Sequence, residues 1–190
     1  SSDLWHVELD RMSAKIAGYL YPEANIQNIG FERTNYPDGY FDVAIGNVPF
    51  GDYRVNDSVY NSHGFLIHDY FFAKTLDKLR AGGVAAYITT KGTMDKESTK
   101  VREFLFKKAE LLGAIRLPNT AFKNAGTKVT ADILFLQKRE KEIENPEWIA
   151  VTEDAQGFRI NSYFVQHPEM ILGTMQEISG PYGMETTCVE

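Results

Sequence analysis

The amino-acid sequence predicts an α/β fold with a largely parallel sheet. Over the first 139 residues, short apolar and β-branched runs alternate with segments of helical periodicity. These helical segments are long enough to cross from one parallel strand to the next. The last strand of the series instead follows residues 117–128, which have no helical pattern, and we therefore expect that strand to be antiparallel.

Length and composition are those of a globular protein. The chain has 190 residues, of which 43% are hydrophobic and 24% charged, and this excludes a disordered or low-complexity protein. Its one cysteine, Cys188, excludes a disulfide framework or a cysteine-based zinc site. No apolar run reaches membrane length and no secretory signal opens the chain, so a cytoplasmic location is expected. With a net charge of −6, any contact with nucleic acid must depend on a local patch.

Six strands and three helices are predicted in order along residues 4–139. The first strand, 4–9, leads into a helix that is capped by Asp10, runs from about Arg11 to Tyr21 and is ended by Pro22. Gly82 and Gly83 are expected to end the second helix. The remaining strands are expected at 25–29, 41–45, 84–89, 112–116 and 130–137, and the remaining helices at 61–80 and 96–108. The run 41–45 is typical of a strand buried on both faces.

The residues after Glu140 have a different pattern. The charged segment 140–147 contains Asn-Pro-Glu and is typical of a linker. A hairpin is expected at 148–160, followed by an irregular tail through His167-Pro168 and Gly180-Pro181. We therefore divide the chain into a core, residues 1–139, and a C-terminal extension, residues 140–190, which packs on the core or leads to a following domain.

Chemically useful residues stand where three predicted strands end. Glu8 ends the first strand, Glu32 follows the second in the segment 30–32, and Asn47-Val48-Pro49-Phe50 follows the third. Ligands of such sheets bind beyond the carboxyl ends of the strands. Each residue alone has an ordinary explanation, as a solvated charge or as a common turn. Their occurrence at the ends of successive strands favours one shared site.

The turn 47–50 suits a planar amine. The carboxamide oxygen of Asn47 and the carbonyl of Val48 can accept both hydrogens of an amino group, Pro49 fixes the backbone, and Phe50 can stack on a flat ring. The exocyclic amine of adenine is a poor nucleophile because its lone pair is delocalised into the ring. Two acceptors favour a more tetrahedral nitrogen, and no strong base is needed because the nitrogen becomes acidic once it is alkylated.

These segments resemble the successive motifs of the S-adenosylmethionine-dependent adenine-N6 DNA methyltransferases. The resemblance rests on 7–10, 30–32 and 42–51 and continues through 68–72, 82–90 and 122–138. It is strongest for the large methylases of plasmids, phages and conjugative elements, which are often fused to helicase-like domains. The resemblance implies a Rossmann-like methyltransferase sheet.

The resemblance also implies a role for each site residue. Glu8 would bind the ribose of S-adenosylmethionine and Glu32 its adenine amino group, with Phe31 beside the ring. Asn47 and the Val48 carbonyl would hold the target amine on a turn made rigid by Pro49, and Phe50 would stack on an adenine flipped out of duplex DNA. Lys128 and Thr130 are polar candidates for contact with the substrate. The four histidines have no metal-ligand spacing, and no metal is expected.

Two features depart from the family's pattern. Val48 stands where the family more often has proline, a change that is tolerated because only the carbonyl is needed there. No glycine-rich cofactor loop precedes Glu8, and the first strand of the family's sheet, with that loop, is expected upstream of Ser1. We therefore expect these 190 residues alone to bind little or no cofactor and to be inactive, and we expect further domains of a larger polypeptide as partners.

Other functions fit the same residues. Enzymes that methylate a glutamine side-chain amide or an RNA base use a similar turn, because a planar amide presents the same lone-pair problem. A non-catalytic methyltransferase-like module of a larger protein would fit the acidic charge and the missing glycine loop. A basic helix segment is either a DNA contact or a solvated helix face; its residues are Lys100, Arg102, Lys107 and Lys108.

Overall fold

Strands and helices alternate along most of the computed structural model, which describes residues 3–180 and 183–190. The strands are β1 (Trp5–Val7), β2 (Asn25–Gln27), β3 (Phe41–Asn47), β4 (Leu79–Thr90), β5 (Ala109–Leu117), β6 (Ala131–Lys138), β7 (Val151–Glu153), β8 (Arg159–Asn161), β9 (Thr174–Gly180) and β10 (Gly183–Val189). The helices are α1 (Arg11–Leu20), α2 (Ile67–Lys78), α3 (Gly92–Asp95), α4 (Lys100–Lys108) and α5 (Ser162–Gln166). None of the described helices is both long enough and apolar enough to cross a membrane.

The central sheet has four strands in the order β3-β4-β6-β5. β3 and β4 are parallel, whereas β6 is antiparallel to both of its neighbours, so β3, β4 and β5 all run in one direction. This confirms the expected sheet, largely parallel with an antiparallel last strand. β1 and β2 form a separate parallel pair.

The main hydrophobic core lies between the four-stranded sheet and the helices packed on it. Its fully buried side chains include Phe72 and Leu76 of α2, Leu105 of α4, and Leu134 and Leu136 of β6. The apolar positions of α2 and α4 recur at helical spacing, and this periodicity turns one face of each helix toward the sheet. The core supports the strands that carry the candidate site.

The glycine pair 82–83 lies inside a strand, and the prediction that it ends a helix is wrong. β4 begins at Leu79, directly after α2, and Gly82 has a φ of +75° within it. A Cβ on Gly83 would lie 2.9 Å from the carbonyl oxygen of Arg80 and 3.0 Å from that of Asp42. The pair is therefore required by the close approach of β3 and β4, whose pairing register shifts at this point.

β3 is not buried on both faces as predicted, because the face that carries Val43 and Ile45 is largely uncovered. Val43 and Ile45 are 60% and 76% exposed, and among residues 3–180 and 183–190 β3 pairs with β4 alone, which leaves its other edge open. An apolar cleft of about 210 Å³ separates the open edge from β1 and is lined by residues of both strands, among them Trp5 and Val7. The sheet is thus divided between the strands that carry Glu8 and Asn47, where the family resemblance implies a further central strand.

The C-terminal extension packs on the core. β7 and β8 form the expected hairpin, but the tail predicted to be irregular contains a second hairpin, β9–β10. Pro181 lies outside the described residues. Side chains of the extension join the main core, namely Ile160, Tyr163, Phe164, Met175 and Cys188. The burial of these apolar side chains holds the extension in place. The linker-like composition of 140–147 gives no indication of this packing.

Arg102 is not part of a solvated helix face. It is fully buried, and its guanidinium donates hydrogen bonds to the carbonyl oxygens of Ile149 at 2.8 Å and Lys96 at 2.6 Å. An arginine has five donors in a rigid fork and can satisfy several carbonyls at once. Arg102 therefore fastens the start of the extension to the loop that follows α3.

A second buried arginine joins two strands and a helix. Arg116 of β5 makes two parallel hydrogen bonds to the carboxylate of Asp132 in β6, at 2.9 and 2.8 Å, and lies 2.8 Å from the carboxylate of Asp95. Its guanidinium also stacks 4.3 Å from the ring centroid of Phe164. Arg116 and Asp132 have no exposed surface, so each charge depends on the other for solvation.

We predict that Arg116→Met lowers the free energy of unfolding by about 3–5 kcal/mol, because it leaves two buried carboxylates without their cation. Arg159→Met is the matched control: its ion pair with Glu97 is also bidentate, but both side chains are more than half exposed, and the expected loss is much smaller than that of Arg116→Met. Urea denaturation measures both. Equal losses in the two variants would contradict the assignment of Arg116 as a buried structural charge.

Candidate functional site

A cavity of about 650 Å³ lies beyond the carboxyl ends of β1, β2 and β3. Its size is typical of a small-molecule site. The cavity gathers six of the residues that the sequence analysis singled out, namely Glu8, Phe31, Glu32, Asn47, Val48 and Pro49. They come from three segments that are distant in sequence, and the strand ends bring them to one place.

The turn after β3 presents Asn47 to the cavity and anchors Val48. The backbone N–H of Val48 donates to the carbonyl oxygen of Ile88 at 3.1 Å, which extends the β3–β4 pairing by one residue. Val48 is 3% exposed, whereas Asn47 is exposed. Within residues 3–180 and 183–190, no hydrogen bond engages the Asn47 carboxamide, so its oxygen is available to a ligand.

Two aromatic residues flank this turn. Phe50 is partly buried and packs against the main core, and the structure does not place it among the residues that line the cavity. Tyr53, three residues further on, is 52% exposed and lines the cavity together with Pro49. The sequence leaves two interpretations open for residues 52–54, which follow the Asn47 turn: they line a base pocket or form a surface loop. The structure places Tyr53 in the cavity wall.

The loop after β1 holds Glu8 in place. One Glu8 carboxylate oxygen accepts from the backbone N–H of Asp10 at 2.8 Å, and the Asn28 carboxamide donates to the carbonyl oxygens of Glu8 and Leu9 at 2.8 and 3.0 Å. The second carboxylate oxygen of Glu8 remains for a hydroxyl donor. The Asp10 side chain caps α1 by accepting from the backbone N–H of Ser13, and this hydrogen bond lowers the pKa of Asp10.

The turn after β2 carries Phe31 and Glu32 on a short 3₁₀ helix, Phe31–Arg33. The carboxylate of Glu32 folds back over Gly30, so closely that a Cβ at residue 30 would overlap it. Arg33 lies 3.6 Å from the same carboxylate, but its side chain is 78% exposed, and this ion pair contributes little. Gly30 thus provides the space that the Glu32 carboxylate occupies.

Apolar residues complete the cavity wall, and sequence reasoning missed most of them. They include Ile29, Val55, Ile67, Phe71 and Tyr87. The hydroxyl of Tyr87 forms a hydrogen bond with Thr75 at 2.7 Å, and burial raises the pKa of Tyr87 to about 12. Gly46 fits against this ring, since a Cβ there would lie 3.4 Å from it. The Tyr87 ring is therefore a neutral packing surface under the end of β3.

A buried ionic group lies behind the cavity. The ammonium of Lys74 is 3.1 Å from the carboxylate of Asp57, which also accepts from the hydroxyl of Tyr70 at 2.7 Å. Burial by itself would raise the pKa of Asp57, but the hydrogen bonds from Tyr70 and Lys74 outweigh it, and the pKa lies below its ordinary value. Asp57 is therefore ionised at neutral pH and fixes the loop that follows the Asn47 turn.

The two remaining candidates lie elsewhere. Lys128 is exposed on the loop before β6. Thr130 is 4% exposed beneath the second C-terminal hairpin, where its hydroxyl interacts with the hydroxyl of Thr187 at 3.0 Å and accepts from the N–H of Cys188 at 2.8 Å. The structure does not bring either residue to the cavity.

The sequence matches the family model of the N-6 DNA methylases over residues 7–169. It is 33% identical over 142 residues to the "Defense against restriction protein B" of Escherichia phage P1. This match covers 72% of the chain but only 6% of the phage protein, so the chain spans a small part of that relative's length.

Solved structures share the fold at low sequence identity. A Listeria monocytogenes protein assigned to the class I S-adenosylmethionine-dependent methyltransferases has a TM-score of 0.61 and 20% identity, covering 77% of this chain and 48% of its own. A Vibrio vulnificus protein assigned as the modification subunit of a type I restriction enzyme gives the same TM-score and identity, over 77% of this chain and 34% of its own.

We predict that Asp57→Asn lowers the free energy of unfolding by about 1–3 kcal/mol near neutral pH, because it weakens a charged hydrogen-bonding centre. The folded-state pKa of Asp57 lies below the ordinary 3.8. Its contribution is therefore complete above that value and is lost as the pH falls through the lower, folded pKa.

Urea denaturation from about pH 7 down to about pH 2.5 tests this, and the gap between the wild type and Asp57→Asn should narrow at the acidic end. Asp38→Asn is a control, because the Asp38 side chain pairs with Lys78 but is 75% exposed and its replacement should have little effect. A gap that is independent of pH would contradict the prediction.

Proposed function

Because the chain belongs to the N-6 DNA methylase family, we propose that it forms the catalytic centre of an enzyme that methylates N6 of adenine in DNA. One observation carries the proposal: acceptors suited to an adenosine and acceptors suited to a planar amine line the same cavity. The cofactor is S-adenosylmethionine, which when bound supplies a methyl group on a positively charged sulfur.

The cofactor side of the cavity fits an adenosine. Glu8 has a carboxylate oxygen free for ribose hydroxyls, as in other nucleotide-binding sheets. Glu32 accepts from the adenine amino group, and Phe31 packs against the ring. The space left by Gly30 is needed for this, because a side chain there would displace the Glu32 carboxylate. Adenine recognition thus comes from one short turn.

The amine side is the segment Asn47–Pro49. The carboxamide oxygen of Asn47 and the carbonyl of Val48 accept the two hydrogens of the target amine, which directs its lone pair away from the ring. Since Val48 is fixed by its hydrogen bond to Ile88, its carbonyl is oriented before substrate arrives. The methylated nitrogen carries one proton more than the product requires, and that proton is acidic enough to be lost to water.

An adenine in duplex DNA must leave the base stack to reach this turn. The resemblance assigns the stacking to Phe50, while Tyr53 is the exposed ring beside Asn47 in the cavity. We propose that Phe50 supports the turn from the core side and that stacking on the flipped base is shared with Tyr53. Lys128, exposed on its loop, remains a candidate for a phosphate contact, whereas Thr130 supports the second C-terminal hairpin.

The division of the sheet supports the proposal that this chain alone is not a complete enzyme. β3 has an open edge, an apolar cleft separates it from β1, and the sequence contains no Gly-x-Gly segment to cradle the methionine end of the cofactor. Further parts of a longer polypeptide are the proposed partners, both to complete the cofactor site and to select the DNA sequence.

We predict that Asn47→Ala in the full-length protein lowers the rate of DNA methylation at least about 100-fold, because one of the two acceptors for the amine is lost. Stability should change by less than about 0.5 kcal/mol, since Asn47 is exposed. Methyl incorporation into duplex DNA and urea denaturation measure the two effects.

Asn35→Ala is the matched control, because Asn35 is also exposed but does not line the cavity. Unchanged turnover in Asn47→Ala would reject the catalytic assignment. Methylation of RNA or of a glutamine amide in place of DNA would agree with the proposed methyl transfer to a planar nitrogen. It would reject DNA as the substrate.

We predict that calorimetric titration of the 190-residue chain with S-adenosylmethionine shows no binding in the micromolar range, whereas the full-length protein binds. The physical reason is the incomplete cavity, which lacks a cradle for the methionine end. Micromolar affinity of the isolated chain would refute this prediction.

A further inference from the structure

Lys74 is the most deeply buried lysine near the candidate site, and its ammonium is held by three oxygen atoms. The residue is 3% exposed. The ammonium donates to the backbone carbonyl oxygens of Glu32 and Thr34, each at 3.3 Å, and to the carboxylate of Asp57 at 3.1 Å. A lysine has three donors, and all three are therefore used.

The two carbonyl groups belong to the turn that carries Phe31 and Glu32. The ammonium also lies 5.2 Å from the ring centroid of Phe31, within the range of a cation–π interaction. One charged group thus contacts both sides of this turn and the ring on it. The other hydrogen bonds of the turn are internal to it: the Thr34 hydroxyl and N–H donate to the carbonyl of Phe31 at 2.7 and 3.2 Å, and the Arg33 N–H donates to the carbonyl of Gly30 at 2.9 Å.

The third partner, Asp57, belongs to the loop that follows the Asn47 turn. Its second hydrogen-bond donor is the hydroxyl of Tyr70, and Asp57 also accepts from the backbone N–H of Val59. Lys74 and Tyr70 both lie on α2, whose buried face packs in the protein. The Lys74 ammonium therefore connects the packed helix α2 both to the turn with Glu32 and to the loop after Asn47, and so fixes the position of each.

From this geometry we propose that Lys74 is a positioning residue for the cofactor: it holds the Phe31–Glu32 turn in the orientation that binds the adenine ring. This inference rests on the proposed function, because it assigns the adenine to that turn. Lys74 does not line the cavity itself and acts through the turn. A site residue must be held close to its productive geometry by the groups behind it, and Lys74 supplies that support here.

The test is Lys74→Met in the full-length protein, which keeps the length of the side chain and removes the charge. The KM for S-adenosylmethionine should rise about 10- to 100-fold, as is usual when a supporting contact is lost, while kcat at saturating cofactor changes much less. Lys74→Arg retains a cation with several donors and should recover most of the affinity. Methylation kinetics on duplex DNA give KM and kcat, and calorimetry gives the cofactor affinity independently.

Lys108→Met is the matched control. Lys108 also pairs with an aspartate, Asp77, at 2.9 Å and lies 4.6 Å from an aromatic ring centroid, that of Phe104, but it contacts neither the Phe31–Glu32 turn nor the cavity. It should lose stability without a change in KM. An equal rise in KM in both lysine variants, or an unchanged KM in Lys74→Met, would overturn the proposal and leave Lys74 a purely structural residue.

Asp57→Asn keeps the test decisive if Lys74→Met does not fold. It leaves the ammonium in place but weakens the group that holds it, so KM should rise in the same direction and by less. An unchanged KM in a folded Asp57→Asn would count against the proposal. Failure of the wild-type full-length protein to bind S-adenosylmethionine would instead reject the proposed function, and the role of Lys74 with it.

Discussion

The pairing of β3 with β4 is the constraint on which the site depends. The pairing continues for one residue past β3, through the hydrogen bond from the Val48 N–H to the Ile88 carbonyl. Because of this last contact, Val48 and its neighbour Asn47 differ in their environment. Val48 is buried and rigid, while Asn47 is exposed to the cavity. Both residues line the cavity, and their amide oxygen and backbone carbonyl are the two acceptors that we propose for a planar amine. Gly83 lets the two strands approach closely enough for this pairing to form, and Gly82 supplies the positive φ beside it.

The same strand carries exposed apolar side chains. Val43 and Ile45 are exposed on β3, and the apolar face of α1 exposes Met12 and Ile16 as well. These side chains form an apolar surface that is accessible to solvent in the described part of the chain. A cleft also lies between β1 and β3, below the strand ends that form the cavity. The proposal that further parts of a longer polypeptide complete the site is in line with these features.

Much of the site could be predicted from sequence because its residues follow strands directly. Glu8, Glu32 and Asn47 each stand at a strand end, and the geometry of parallel strands brings such residues together. The direction of the last strand was also predictable, from the absence of a helical crossover. These features depend on local pattern alone.

The remaining features depend on contacts between residues far apart in sequence. Lys74 and Glu32, which are hydrogen-bonded, are 42 residues apart in sequence, and Arg102 and Ile149 are 47 residues apart. The periodicity of the sequence therefore predicts neither contact. From the sequence, a charged residue such as Arg102 is expected to be exposed. Its burial is explained only by the carbonyl groups that accept its hydrogen bonds. The sequence indicates a turn near residue 180 but not the two strands of the hairpin β9–β10 that flank it. Those strands are stabilised by the burial of Met175 and Cys188 in the core, which is a contact with distant residues.

The most direct test of the account is a structure of the full-length protein with S-adenosylhomocysteine bound. The account predicts the ribose at Glu8, the adenine between Phe31 and Glu32, and the sulfur facing the Asn47 carboxamide across the cavity. An adenosine bound away from the turn at residues 30–32, or an Asn47 side chain directed away from the sulfur, would contradict it.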